Sequence, residues 1–106
     1  TQAQGNTGFV VPTGYKFHPV LLQVNSNADL TAGSAVYKVY SDDAALAAGP
    51  EVTLDDDHQS GQDVQRVGAV PFAAGKVVGI SATTSADMAP ETGDVDAILI
   101  GILTPA

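Results

Sequence analysis

A chain of 106 residues holds one domain with room for a single core. Twelve acidic against four basic residues give a formal net charge of −8, and the cations Lys16, Lys38, Arg66 and Lys76 are scattered, which excludes nucleic acid and membrane as partners. There is no cysteine, so disulfides, thiolate metal sites and cysteine nucleophiles are excluded too, and the longest apolar run is far short of the ~20 residues of a membrane helix.

Residues 1–8 are polar and glycine-bearing and read as an N-terminal arm, with a single β-sandwich domain over residues 9–106. Phe9-Val10-Val11 is a short apolar run stopped by a Pro12-Thr13-Gly14 turn. Phe17 to Val24 predicts a strand with Pro19 near its start, where proline is tolerated, and with Val20, Leu22 and Val24 on one face. After the turn-rich Asn25 to Asp29, Ala35 to Tyr40 is β-branched and aromatic and predicts another strand. Ser41 to Pro50 carries the one helical signal. Ser41 can cap, Asp42 and Asp43 suit the first-turn dipole, and Gly49-Pro50 stops it, so a short connector helix is expected.

Glu51 to Leu54 predicts a short strand leading into the acidic loop Asp55 to Gly61; extended structure resumes from Val64 to Val70. Pro71 to Gly75 reads as a turn, Lys76 to Thr83 as a strand, and Ser85 to Asp94 as a loop. The final run, Val95 to Thr104, is apolar on both faces. One face carries Val95, Ala97, Leu99, Gly101 and Leu103; the other carries Asp96, Ile98, Ile100, Ile102 and Thr104. A small sandwich normally wets one face of each sheet. Three isoleucines left in water would forfeit about 5–9 kcal/mol, comparable with the ~5–15 kcal/mol stability of a whole domain. A neighbouring subunit is the expected cover, through Val95, Ala97, Ile98, Ile100 and Ile102. Short strands at this spacing, without long helical periodicity, predict an all-β fold: an antiparallel β-sandwich or jelly roll with the one connector helix.

Chemistry is sparse. Asp55-Asp56-Asp57-His58 is the one dense cluster of metal-ligating types, but it lacks the alternating acids and glycine of a calcium loop and reads as a solvated acidic loop, not a metal site. Asp94 and Asp96 share a strand face, as an acid–base pair would, yet no second partner is visible and an interface rim is the expected role. His18 and His58 have no nucleophile motif beside them. Tyr15, Tyr37 and Tyr40 are expected to pack in the core or an interface, with a sugar-stacking surface as the alternative. No enzyme activity and no cofactor are expected.

Three segments carry a resemblance. "VPTGYKFHPVLLQVNSN" (Val11 to Asn27) resembles the opening of phage jelly-roll domains related to the tumour-necrosis-factor and C1q fold. "VPFAAGKVVGISATTSA" (Val70 to Ala86) is similar to their turn followed by a glycine-rich strand, and "DVDAILIGILTP" (Asp94 to Pro105) to their closing strand near a threefold axis. The resemblance implies a homotrimeric decoration, or cement, protein of a tailed-phage virion. Such a protein binds the major capsid protein on the outer capsid surface and stabilises the shell. Capsid contact would then fall to the arm, at Gln2, Gln4 and Asn6, and to Phe9. The alternative is the receptor- or glycan-binding tip of a phage tail fibre.

Overall fold

Alternating aliphatic residues between glycine- and proline-bearing turns give eight strands among the described residues, every pairing between them antiparallel. The computed structural model describes residues 9–27, 30–41, 44–45, 49–68, 70–86, 89 and 95–106. The strands are β1 (Phe9–Val10), β2 (Tyr15–Ser26), β3 (Ala35–Ser41), β4 (Ala44–Ala45), β5 (Glu51–Leu54), β6 (Ser60–Val64), β7 (Val77–Thr84) and β8 (Val95–Pro105). One sheet runs β1-β7-β3, with β4 and β5 end to end along the other side of β3. The second runs β6-β2-β8. The two sheets pack as a β-sandwich.

The core lies between the sheets in two pools. Phe17 of β2 meets Val11, Val39, Phe72 and Val78 in one, with Phe17 and Phe72 edge to face at 6.1 Å between ring centres. Leu22 and Val24 meet Val52 and Leu54 in the other. Phe72 is pinned to β2 by reciprocal backbone bonds, the Phe72 N–H donating to the Phe17 carbonyl at 2.8 Å and the Phe17 N–H to the Phe72 carbonyl at 3.0 Å. That tie holds the Pro71–Gly75 turn over the first pool.

The expected helix over Ser41 to Pro50 is corrected. Tyr40 is fully buried and β3 continues through Ser41, so the chain is committed to the sheet where the helix would begin. Ala44 and Ala45 pair back onto Ser41 and Tyr40 as β4. No helix is found among the described residues, and 42–43 and 46–48 lie outside them. Gly49, at φ 147°, and buried Pro50 separate β4 from β5. A proline has no N–H to give the ladder.

A second correction concerns β2. Pro19 pairs with Gly101 but Leu21 pairs with Ile100, which makes Val20 the extra residue of a β-bulge. The bulge resets the face phase, so Phe17 and Pro19 before it and Leu22 and Val24 after it are all buried, while Val20 is only partly covered. The acidic loop is also shorter than expected. Asp55 and His58 exchange backbone hydrogen bonds, β6 begins at Ser60, and Val64 ends that strand instead of opening one.

Candidate interaction surface

The two outward faces of the sandwich differ in chemistry. Outside the first sheet, Lys38 stands opposite Ser81 and Glu51, and Val36 opposite Thr83 and Thr53. Lys38 and Glu51 form an ion pair at 3.8 Å, and the Ser81 hydroxyl donates to the Lys38 carbonyl at 3.4 Å. This face is wet at Glu51, Thr53 and Thr83, which are exposed, and closed at Ser81 and at Tyr40, whose ring lies over Gly79.

Outside the second sheet the register aligns aliphatic residues across all three strands. Leu21 of β2 stands between Val64 of β6 and Ile100 of β8, Gln23 between Gln62 and Ile98, and His18 opposite Ile102. Ile98, Ile100 and Ile102 are 49%, 48% and 45% exposed, and Val64 66%. Val95 and Ala97, also expected in the interface, are exposed near the start of β8 on the other face. Leu21 and Val64 extend the surface beyond what sequence reasoning placed there. Val64 sits in a stretch of mixed polarity, and only the β6–β2–β8 register shows that it belongs.

Beside β8 runs a groove of about 510 Å³ lined by Phe9, Phe17, Val78, Ile80, Leu99 and Gly101 among others. It exists because β1 covers only Val77 and Val78 of β7, and no described strand lies beyond β8. Gly101 is needed for close approach: a Cβ there would overlap the Phe17 ring and stand 2.8 Å from the His18 carbonyl oxygen. Phe9 is half exposed at the groove, its ring 5.6 Å from that of Phe17. The other residues expected to touch a capsid, Gln2, Gln4 and Asn6, lie outside the described residues, as does Asp94 of the Asp94–Asp96 pair.

Of the remaining candidates, His18 shares this face beside Ile102. His18 is buried, with Nε2 2.7 Å from the Thr104 hydroxyl and Nδ1 without a partner, so it fastens β2 to β8 rather than facing solvent. The tight turn does bring the carboxylates of Asp55, Asp56 and Asp57 within 4.8 Å of one another. Asp55 Oδ1, however, already accepts the His58 Nδ1–H at 2.8 Å and the Asp57 N–H at 3.0 Å. The hydrogen bond from His58 holds the Asp55 carboxyl below its ordinary range, and the same bond raises the His58 imidazole. Those bonds belong to an Asx turn that closes the loop. The three tyrosines make no common platform. Tyr40 is fully buried, Tyr37 packs on the Leu22 pool, where burial raises its phenol, and Tyr15 is exposed. No protein-family model, no curated protein and no solved structure matches this chain.

Proposed function

We propose that the chain is a structural virion protein, a homotrimeric decoration protein that binds the outer surface of a phage capsid through the major capsid protein and reinforces it. The observation that carries the reading is the exposed apolar face of the second sheet, Val64, Leu21, Ile98, Ile100 and Ile102, where the exposed outer positions of the first sheet include Glu51, Thr53 and Thr83. Monomeric proteins rarely leave so contiguous an apolar surface in water. Covering the exposed half of three isoleucines contributes roughly 2–4 kcal/mol per copy. Association costs about 4–15 kcal/mol, so contacts must repeat over several subunits. A trimer seated on a shell supplies such repetition, because linked weak contacts multiply. The net charge of −8 suits docking on a basic surface, and the resemblance of three segments to phage jelly-roll domains supplies the capsid.

The test has two parts. Sedimentation at micromolar concentration gives no folded monomer, and Ile100→Asp dissociates the assembly. Purified protein added to undecorated capsids binds stoichiometrically and raises the temperature at which they lose DNA; deletion of residues 1–8 leaves the trimer folded but weakens that binding. A well-folded monomer overturns the assembly. Protein that ignores capsids but binds host cells or polysaccharide replaces this reading with the tail-fibre tip.

A further inference from the structure

The outer edge of β8 is a second unsatisfied surface, distinct from the dry face. Eleven residues, Val95–Pro105, run along it, β2 holds their inner edge, and no described strand holds the other. Exposed edges are normally guarded by a lysine, a central charge, a proline or a bulge. Here the one charge, Asp96, and the one proline, Pro105, stand near the two ends, and the bulge lies on β2. Among the described residues, no strand pairs with this edge from Ala97 to Thr104.

We propose that this edge pairs with the β8 edge of a second copy, antiparallel and centred on Ile100. The order of side chains about that residue is self-complementary. With Ile100 on the dyad, Ile98 meets the partner's Ile102, Leu99 meets the partner's Gly101, Ala97 meets the partner's Leu103, and Asp96 meets the partner's Thr104. Bulky residues on the core-facing side thus stand against small ones, isoleucines match across the dry face, and the two acids are kept apart. Centring on Leu99 instead sets Leu99 against itself and Asp96 against the partner's Ile102. Centring on Gly101 leaves two glycines opposed and sets Ile98 against the partner's Thr104.

The groove supplies an independent observation. The residue opposite Gly101 lies on the core-facing side, next to the space lined by Phe9, Phe17, Val78 and Ile80. In the proposed register that residue is the partner's Leu99, an aliphatic chain in an aliphatic groove. The resulting sheet has six strands, β6-β2-β8 continued through the dyad, and the two dry faces become one.

This inference goes beyond the capsid reading and needs only that copies of the chain associate. A dyad normal to the sheet can cross a threefold axis in front of the dry face, so the pairing turns a trimer into a particle of six.

The chain has no cysteine, so engineered thiols report without background. Residues opposed across antiparallel strands lie about 4.5–5.5 Å apart at Cα, within disulfide range. Under mild oxidation, full-length Ile100→Cys crosslinks to itself, Leu103→Cys alone does not, and Leu103→Cys mixed with Ala97→Cys does. Sedimentation of the unsubstituted protein gives two or six copies, and β8 amides lose exchange protection on dilution. Two copies with the crosslink support the pairing while removing the threefold arrangement, and six support both. Three copies without a crosslink at position 100 overturn the pairing and leave the trimer standing. A monomer overturns both, and crosslinking of Leu103→Cys alone overturns the register.

Discussion

Gly101→Ala is a small change that the packing turns into a large one. The added methyl would overlap the Phe17 ring and sit 2.8 Å from the His18 carbonyl oxygen. The ring is confined, since Phe17 is only 9% exposed and meets Phe72 edge to face, and the carbonyl belongs to the neighbouring strand. Overpacking of this kind costs about 1–3 kcal/mol. Alanine recovers roughly 0.5–1 kcal/mol of that, because glycine is the poorer strand residue. A net loss of about 0.5–2 kcal/mol corresponds to a fall in Tm of roughly 2–16 °C for a domain near this size. Melting must be followed at fixed protein concentration, because the proposed association would shift the midpoint by mass action. Phe17→Leu removes the ring edge the methyl would strike and by itself weakens the core by about 1–2 kcal/mol. The double variant is therefore more stable than the sum of the two losses, by about 1 kcal/mol of coupling. A Gly101→Ala protein as stable as its parent, or strictly additive losses, refutes the close-approach argument.

Two further outcomes follow from local geometry. Deleting Val20 removes the bulge and leaves Phe17, Pro19, Leu22 and Val24 on one face of a regular strand, so the variant folds; deleting Gln23 turns Val24 outward and does not. Equal circular dichroism and melting for the two deletions would refute the phase argument. His58 titrates above its ordinary value in the folded protein and Asp55 below its own, so their bond favours folding between the two pKa values. That contribution is lost as pH rises through the His58 pKa or falls through the Asp55 pKa. Asp55→Asn lowers the His58 midpoint in an NMR titration, and an unchanged midpoint contradicts the hydrogen-bond assignment.

Much of the sandwich was legible because burial writes a period of two. β3, β5, β7 and β8 fall where the alternation of Ala35 to Tyr40, Glu51 to Leu54, Lys76 to Thr83 and Val95 to Thr104 puts them, within a residue or two. The misread helix has a chemical cause. Serine and aspartate satisfy a helix N-terminus and a strand turn with the same side-chain oxygens, and burial of Tyr40, a tertiary fact, decides between them. A bulge such as that at Val20 is invisible in the pattern, because it is a slip between two strands and not a property of either. The dry face was half legible. Ile98, Ile100 and Ile102 announce themselves, whereas Leu21 and Val64 join only once the register of β6 on β2 is known.

The three-stranded sheet draws its members from distant parts of the chain; His18 and Thr104, bonded across it, are 86 positions apart. The other sheet begins as a local hairpin, β3 folding back through β4 and β5. Non-local β pairing is slow, on the order of milliseconds to seconds, since loop entropy is lost before contacts return it. Until β2 and β8 meet, Ile98 to Leu103 is an uncharged, β-prone segment with nothing over it, the kind that drives aggregation. Refolding yield should therefore fall as protein concentration rises, even though the proposed native contacts between copies would be favoured by the same rise. The stretch proposed to meet a second copy in the folded protein is the stretch it must keep from other chains while folding.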